Sequence, residues 1–339
     1  MNRPFYSDIA RRAGVSRATV DRVMNERESV SDKTRRKVLL AARELGTRRV
    51  LPSPTHGVLR FEFFLVKHPT DHFIRMEAAM IRYAQLIGPR IAVHRYQWDD
   101  RDEANLIKLL ARNGHRRHGV IVVAPDSPAV RLVLRALVAS KIPVVVVSSD
   151  IAADIGHTYV GIDNTAAGRT AAHLMSQMVP EESGDILLLT NAERYVAHAQ
   201  RIEGFASVMS ARRPGLRVVG PGECFDRLEL AEQWVERAIS ASHGVVGIYN
   251  TGAASAGVRR ALESAGVRPV WIAHEATQEH AAYMKEQFLT LVIDQDAEAQ
   301  ALACLQNLLA VNDDPHNLLI TQPRFQLVTL ENLPPELGF

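Results

Sequence analysis

Two arginines near the amino terminus, Arg17 and Arg22, have the spacing and the setting for hydrogen bonding to nucleic acid. They lie in the segment YSDIARRAGVSRATVDRVMN, residues 6–25, and Ala18 follows the first of them. Side chains at the amino-terminal end and flank of a short helix can enter the major groove and meet base edges. We therefore expect Arg17, Ala18 and Arg22 to read the bases of a DNA duplex.

Two short helices joined by a tight turn must hold these side chains. Gly14 lies where the chain reverses, and glycine accepts a positive φ there because it has no Cβ. Ser16 is expected to cap the second helix by accepting a hydrogen bond from a free backbone N–H. A third helix should begin at Ser31 or Asp32 and end at Gly46. The apolar positions that should pack the three helices together are Ile9, Ala10, Ala13, Ala18, Val20, Val23, Met24, Val38, Leu39, Ala42 and Leu45.

An ordinary helical hairpin with solvated arginines would show the same periodicity, but the distribution of charge favours a nucleic-acid partner. Residues 1–60 contain 14 Lys and Arg against 6 Asp and Glu, whereas the rest of the chain contains 26 against 32. The net charge of +2 thus combines a basic head with an acidic body. This division is expected if the head alone neutralises phosphates.

Length and composition set further limits. A chain of 339 residues with 47% apolar content can form two or three domains. Its apolar runs fall short of the roughly 20 residues of a membrane helix, and its polar beginning lacks a secretory pattern. Cys224 and Cys304 lie far apart and have no metal-binding spacing. We expect a cytoplasmic protein with no membrane association, no bound metal and no cofactor.

From residue 60 onward, short β-branched runs alternate with amphipathic helices. The expected strands are RFEFFLV, RIAVHRY, GVIVVAP, IPVVVVSS, DILLLT, LRVVG, GVVGIYN, PVWIA and LTLVID. Between them the pattern predicts helices near residues 73–87, 102–112, 128–139, 193–211, 226–240 and 252–264. Continuous apolar strands separated by helices indicate a parallel sheet covered on both faces. The fold class expected is a small all-α helix-turn-helix head followed by two doubly wound parallel-sheet α/β lobes.

The head sequence DIARRAGVSRATVDRVMN, followed by VSDKTRRKVLLAARELG, resembles the amino-terminal domain of the lac/gal repressor family of bacterial transcription regulators. Residues 58–330 resemble the periplasmic sugar-binding protein fold, through VGIDNTAAGRTAA, RIEGF, IYNTGAASAG and VIDQDAEAQ. The resemblance implies a homodimeric repressor on a palindromic double-stranded DNA operator. It also implies a small-molecule effector, a sugar, polyol or sugar acid, that binds between the lobes.

Two departures from the family pattern concern the head and its connection to the body. Asp21 stands where family members usually have serine, and a carboxylate there would repel phosphate or accept from a cytosine amino group. Pro52 and Pro54 oppose the hinge helix that the family has at this point. Leu51 could still act as a wedge in the minor groove. The phosphate contacts that the resemblance implies are Ser7, Ser16, Thr19, Asn25, Ser31 and Thr34.

The resemblance also implies which residues bind the effector. Arg201, from the R-x-x-G-F motif, can fork two hydrogen bonds to vicinal hydroxyls or to a carboxylate. Asn250 and Glu275 follow strands of the second lobe, and Glu275 replaces the aspartate that the family generally has. Gln295 should face the ligand from the hinge side. Residues expected from the first lobe are Asp126, His72 and Phe73, the last able to stack on an apolar sugar face.

Several other polar residues are open to two interpretations. Asp163 and Asn164 suit either the effector site or a helix N-cap. His94, Tyr96 and Trp98 alternate along one strand, which favours a packing face over a ligand cage. The segment HEATQEH, residues 274–280, superficially suggests a metal site, but its histidines are six apart and do not share a helical face.

The sequence predicts three regions. Residues 1–46 form the helix-turn-helix domain, residues 47–59 a linker that is not helical, and residues 60–339 the effector-binding domain. Its first lobe should comprise about 60–162 and 292–323, and its second about 163–291 and 324–339. We expect a regulator and no enzyme, since motifs such as G-x-S-x-G are absent from the sequence. The alternative is a carbohydrate- or nucleoside-modifying enzyme that carries a regulatory DNA-binding head.

Overall fold

The computed structural model describes residues 6–25, 30–47, 51, 58–67, 70–88, 91–112, 117–152, 154–312 and 322–337. The head contains three helices, α1 (Tyr6–Ala13), α2 (Arg17–Met24) and α3 (Asp32–Glu44), as the sequence predicts. Gly14 has a φ of 65° between α1 and α2. Apolar side chains of all three helices form one buried core. Two residues are exceptions to the predicted core: Leu45 lies past the last turn of α3 and is 37% exposed, and Ala18 is exposed on α2.

The first lobe is built on a parallel sheet with strand order β2-β1-β3-β4-β5. Its strands are β1 (Leu59–Val66), β2 (Ile91–Trp98), β3 (Gly119–Val122), β4 (Val144–Val147) and β5 (Thr158–Val160). The connecting helices are α4 (Asp71–Ile87), α5 (Glu103–Leu110) and α6 (Pro128–Ala139). Every residue of β3 and β4 is buried, since apolar clusters cover both faces of the sheet. Short β5 has no counterpart among the predicted strands.

The second lobe is built on a sheet with strand order β11-β10-β9-β8-β6-β7. Its strands are β6 (Gly184–Thr190), β7 (Leu216–Glu223), β8 (Val245–Asn250), β9 (Val270–His274), β10 (Leu291–Asp294) and β11 (Gln326–Val328). Its helices are α7 (Asn164–Met178), α8 (Val196–Arg212), α9 (Leu228–Ala241), α10 (Ser255–Ala265) and α11 (Gln278–Lys285). Strand β11 pairs antiparallel to β10, and 3-10 turns at Leu330–Asn332 and Pro335–Leu337 follow it.

The chain passes between the lobes three times: after β5, after β10 and again before β11. Helix α12 (Ala297–Asn312) returns to the first lobe, where Ala301, Leu305 and Leu308 join the core around Phe61. Residues 292–294 were expected in the first lobe, but they belong to β10, which pairs with β9 of the second sheet. The apolar run LTLVID is compatible with a strand in either lobe. Only its pairing with β9 assigns it to the second sheet.

The connection between head and body lies largely outside the described residues. Of the predicted non-helical linker, residues 47–59, the structure describes Thr47, Leu51, Val58 and Leu59. Leu51 packs against the core of the head, and Leu59 is already the first residue of β1. Among the helices of the described residues, none combines the length and the apolar character needed to cross a membrane.

Candidate functional site

One face of α2 is turned to solvent because the opposite face is buried. Val20 and Val23 are fully buried in the core of the head. Arg17, Ala18 and Arg22 are exposed on the outer side of the same helix. In a helix-turn-helix this is the face that can enter the major groove. Base contacts by these three residues stay a prediction that their exposure permits.

The serine and threonine hydroxyls proposed as phosphate contacts cap two helices. Ser16 Oγ accepts from Thr19 N at 3.1 Å and lies 2.9 Å from Thr19 Oγ1. Ser31 Oγ accepts from Thr34 N at 3.3 Å and lies 2.9 Å from Thr34 Oγ1. The hydroxyl pairs therefore stabilise the starts of α2 and α3, where the helix dipole also favours an anion such as phosphate. Ser7 is exposed on α1.

Asp21, the departure from the family pattern, has a partner on its own helix. Its Oδ1 accepts a hydrogen bond from Asn25 Nδ2 at 2.8 Å, across one helical turn. Asn25, a proposed phosphate contact, is thereby held by Asp21. The acidic side chain and the amide are thus one unit at the carboxyl-terminal end of α2.

A cavity of about 990 Å³ lies between the two lobes, beside the carboxyl ends of their parallel strands. Open α/β sheets bind ligands at this edge. Five of the predicted effector residues line it. They are His72 and Phe73 from the first lobe, Arg201 and Glu275 from the second, and Gln295 from the segment between β10 and α12.

Arg201 is buried in the wall of the cavity, with 3% of its surface exposed. Its Nε donates to Asn164 Oδ1 at 2.8 Å, and an NH1 hydrogen goes to the carbonyl oxygen of Thr251 at 2.8 Å. Both acceptors are neutral, and burial lowers the pKa of the guanidinium. A buried guanidinium held only by neutral acceptors can give its remaining hydrogens to a ligand.

Two glycines explain how Arg201 reaches Asn164 on the neighbouring helix. A Cβ on Gly168 of α7 would lie 2.1 Å from the carbonyl oxygen of Arg201, and a Cβ on Gly204 of α8 would lie 2.4 Å from that of Thr165. Only glycine lets the two backbones approach so closely. The glycines of the AAGRT and RIEGF segments therefore set the distance between α7 and α8.

Glu275 is the centre of a charged network that joins the lobes. Its Oε2 accepts from Arg75 at 2.8 Å and lies 3.1 Å from His72 Nδ1, while its Oε1 accepts from Gln295 Nε2. Arg75 also bonds to Asp294 at 2.9 Å. Burial alone would raise the pKa of Glu275. The pKa nevertheless lies well below its ordinary value, because His72 and Arg75 favour the ionised carboxylate. Glu275 adopts this position with a φ of 73°.

The same network extends into the first lobe. His72 Nε2 lies 3.0 Å from Ser148 Oγ, which donates to Gln300 Oε1 at 2.8 Å. Gln300 Nε2 donates in turn to the carbonyl oxygen of Gln295 at 2.9 Å. Residues from α4, α12 and the end of β4 are therefore connected to Glu275 through buried hydrogen bonds. Arg75 and Ser148 belong to none of the recognised motifs, and Gln300 ends the VIDQDAEAQ segment, in which the sequence pointed only to Gln295.

Asn250 and Asp126 were expected in the effector site, but neither lines the cavity. The amide of Asn250 donates to Ala253 O at 3.0 Å and accepts from Gly252 N at 3.2 Å, so it closes the turn between β8 and α10. Asp126 binds Arg131 with both carboxylate oxygens at 2.5 Å, and this pairing lowers its pKa. Their places at strand ends are correct, but their polar atoms serve the loops.

Phe225 and Asp226 line the cavity, although the sequence analysis missed them. Both have a positive φ, 50° and 51°, a backbone conformation that residues other than glycine rarely adopt. Phe225 is 47% exposed. An exposed aromatic ring held in an unfavourable backbone conformation is typical of a ligand contact. Their position directly after β7, a strand that ends at the cleft, was the available signal.

Two further histidines of the cavity wall act as neutral hydrogen-bonding groups. His198 Nδ1 lies 3.0 Å from Thr251 Oγ1, and burial beside Arg201 lowers the pKa of His198 to about 3. His274 Nε2 lies 2.9 Å from Tyr249 Oη, and burial lowers the His274 pKa well below its ordinary value. Neither imidazole carries charge at neutral pH.

The second histidine of the segment 274–280 is held by hydrogen bonds within the protein. His280 Nδ1 lies 2.6 Å from the carbonyl oxygen of Glu275, and its Nε2 lies 2.7 Å from Ser255 Oγ. Within the described residues, no group of three or more His, Cys, Asp or Glu side chains is arranged to hold a metal ion.

The other ambiguous residues are also structural. Asp163 caps α7, accepting from Ala166 N at 2.8 Å, and Asn164 orients Arg201; neither lines the cavity. On β2, Tyr96 stacks on Phe64 with ring centroids 5.0 Å apart and Trp98 is buried, whereas His94 is exposed.

Sequence profiles of two families match the chain. The profile described as "Bacterial regulatory proteins, lacI family" matches residues 7–48. The profile described as "Periplasmic binding protein domain" matches residues 62–314. No curated protein matches the sequence of the chain.

Solved structures with the same fold include several solute-binding proteins. GanP, a glucose-galactose binding protein from Geobacillus stearothermophilus, has 17% identity and a TM-score of 0.72, covering 82% of this chain and 99% of its own. A solute binding protein from Bacillus halodurans with bound myo-inositol has 17% identity and a TM-score of 0.72, covering 82% and 97%. One from Burkholderia graminis in complex with D-arabinose has 18% identity and a TM-score of 0.69, covering 82% and 97%. At these identities the likeness concerns the fold. The two profile matches show that the chain has a lacI-family DNA-binding domain at its amino terminus and that its body belongs to the periplasmic binding protein domain family.

Proposed function

We propose that the protein is a transcriptional repressor that binds a DNA operator with its head and a small sugar-like effector in its cleft. The observation that carries the proposal is the pairing, in one chain, of an exposed arginine face on α2 with a cavity of about 990 Å³ lined by hydrogen-bonding side chains and two phenylalanines. The likeness to proteins whose titles name glucose, galactose, myo-inositol and D-arabinose supports a polyhydroxylated effector. A DNA partner implies a cytoplasmic location.

The effector would be held from both lobes. Phe73 and Phe225 supply apolar faces on which a ring can stack, and Arg201 supplies guanidinium hydrogens. Glu275 contacts both His72 and Arg75 of the first lobe, so a ligand that disturbs this network would change how the lobes sit against each other. A ligand shifts such an equilibrium only through its different affinity for the two arrangements.

We further propose that the protein acts as a homodimer on a palindromic operator. A single small head makes few base contacts, whereas specific affinities are typically about 10⁻⁸ to 10⁻¹¹ M. Two heads on two half-sites supply the missing contacts.

We also propose that the effector is bound without chemical change. The two cysteine thiols, the strongest potential nucleophiles of the chain, are buried, and burial raises the pKa of Cys224 to about 12.

A selection of binding sites from random duplex DNA, followed by affinity measurements with and without sugars, tests the proposal. We expect a palindromic consensus, and we expect a bound sugar to change operator affinity at least tenfold. Arg201→Ala should keep operator binding and lose the sugar response, while Arg237→Ala, at an exposed arginine of α9, should keep both. A random consensus, or a sugar that is consumed during the assay, would contradict the proposal.

A further inference from the structure

The charged side chains of the cavity do not suit an anionic ligand. Among the described residues, seven aspartates and glutamates line it, against four arginines. Two of those arginines are already paired with aspartates. Arg101 binds both carboxylate oxygens of Asp99, at 3.0 and 3.1 Å, and Arg194 binds the carboxylate and the carbonyl of Asp100, at 3.0 and 2.9 Å. Arg201 donates only to the neutral groups of Asn164 and Thr251 among the described residues, so its remaining hydrogens can meet hydroxyl oxygens of a ligand.

The buried amides of the cavity present acceptors to a ligand. Gln295 gives its Nε2 to Glu275, so the orientation of the amide is fixed and Oε1 is the remaining atom. Asn191 likewise gives its Nδ2 to Asp226 at 2.6 Å, which leaves Oδ1. Both oxygens are buried and, within the part of the chain that the structure describes, have no hydrogen-bond partner. Such atoms are costly unless a donor meets them. Gln295 is only 6% exposed, and both residues line the cavity.

Asp226 adds a carboxylate next to one of these acceptors. Its oxygens accept from Ala253 N at 2.9 Å and from Asn191 Nδ2. Burial, with a contribution from Asp100, raises the pKa of Asp226 to about 6. A cation placed against this carboxylate would be stabilised by it and would restore its ionised form.

We propose that the effector is a polyhydroxylated molecule that carries a protonated amine, such as an amino sugar or an aminocyclitol. Asp226 is the counter-ion of the amine, and Asn191 and Gln295 accept its N–H and O–H groups. Sugar acids and sugar phosphates are disfavoured by the same set of carboxylates and acceptors. This inference rests on the proposed function, because it assigns the chemistry of the same cleft.

Calorimetry on the full chain at pH 7 with matched ligand sets tests the inference. Each set contains a neutral sugar, its amine and its acid: glucose with glucosamine and glucuronate, galactose with galactosamine and galacturonate, and myo-inositol with an amino-substituted inositol. We expect at least one amine to bind ten times more tightly than its neutral counterpart, and the acids to bind more weakly still. An acid or neutral member that binds most tightly in every set, or the failure of every amine to bind, would overturn the inference.

The same titrations, repeated with operator DNA, separate this inference from the proposed function. If a neutral sugar binds most tightly and also changes operator affinity, the proposed function stands and the inference of an amine-bearing effector is wrong. If no sugar of any class affects operator affinity, the proposed function itself is contradicted.

A variant and a pH series test whether Asp226 is the residue responsible for the preference for the amine. Asp226→Asn should reduce the preference for the amine over its neutral counterpart to about twofold. Glu229→Gln, which removes an exposed carboxylate outside the cavity, should leave the preference intact. A preference that survives in Asp226→Asn would exclude Asp226 as the counter-ion.

For the unsubstituted protein, amine affinity should fall about tenfold from pH 7 to pH 5, because Asp226 becomes protonated. The affinity of the neutral sugar should not fall over the same pH range. Other charged groups of the cavity, Asp100, Glu223, Arg194 and Arg227, are the same in both titrations. An equal pH dependence for amine and neutral sugar would rule out a titrating counter-ion, even if the variant does not fold.

Discussion

The head and the cleft position their binding side chains in different ways. Arg17 and Arg22 project from one exposed face of α2, and their position follows from helical spacing alone. Glu275 and His72 come from segments about 200 residues apart and are hydrogen bonded to each other before any ligand is considered. The base-reading groups of the head are therefore separable from its fold, whereas the binding groups of the cleft are part of what holds the lobes together. Substitutions in the two regions should differ accordingly.

The largest effect is expected from Glu275→Gln. The Glu275 side chain is 13% exposed and binds His72 and Arg75, so removing its charge leaves Arg75 with Asp294 as its remaining carboxylate partner and weakens the link between the lobes. We expect the free energy of unfolding of the body to fall by about 3 kcal/mol. Urea denaturation followed by tryptophan fluorescence measures it, since Trp98 and Trp271 are buried in different lobes.

The pH dependence of that loss gives a second measurement. The pKa of Glu275 is lower in the folded protein than its ordinary value of 4.5, so its stabilisation is present above that value and is lost as the pH falls below it. Between pH 5 and pH 3 the unsubstituted protein should progressively lose part of its advantage over Glu275→Gln. The matched control, Glu229→Gln on the surface of α9, should unfold like the unsubstituted protein at both ends of this range. A difference that is constant with pH would show that shape, and not charge, matters at this position.

The contrast between head and cleft also explains which parts of the fold and of the site can be predicted from the sequence. The three helices of the head and nearly every strand of the body follow from local periodicity, because Gly14, Ser16 and the apolar runs act within a few residues. The cleft depends on which distant loops meet. Asn250 was placed correctly at the end of a strand, yet its amide serves its own turn, and Arg75 reaches Glu275 from a helix that no motif marks. Strand pairing likewise assigns residues 292–294 to the second lobe.

In the head, Arg22→Ala should weaken operator binding without weakening the fold. Arg22 is exposed, so its removal opens no cavity. We expect a loss of about 2 kcal/mol in operator binding and relaxed preference at one position of each half-site. Binding-site selection with the variant, together with a melting curve, measures both. Arg237→Ala is the control, and a uniform loss across all DNA sequences would mean that Arg22 contacts only phosphate.

Ser16→Ala should have a smaller effect, confined to α2. It removes the oxygen that accepts from Thr19 N, and the loss of an N-cap costs about 1 kcal/mol. Hydrogen exchange of the α2 amides should therefore become about fivefold faster, while the body remains protected. Ser7→Ala, at an exposed hydroxyl of α1, serves as the matched control. Unchanged exchange in α2 would show that the core of the head, and not the cap, limits its opening.

The smallest effect, and the most informative about the head, is expected from Asp21→Asn. The change removes a negative charge from α2 but keeps an oxygen that can accept from Asn25. If Asp21 only repels phosphate, affinity for the operator and for unrelated DNA should rise by the same factor, about twofold, and the gain should shrink as salt increases. Asp8→Asn on α1 makes the same charge change in the same head. If operator affinity falls while affinity for unrelated DNA rises, Asp21 accepts from a base, and the head reads sequence with a carboxylate as well as with arginines.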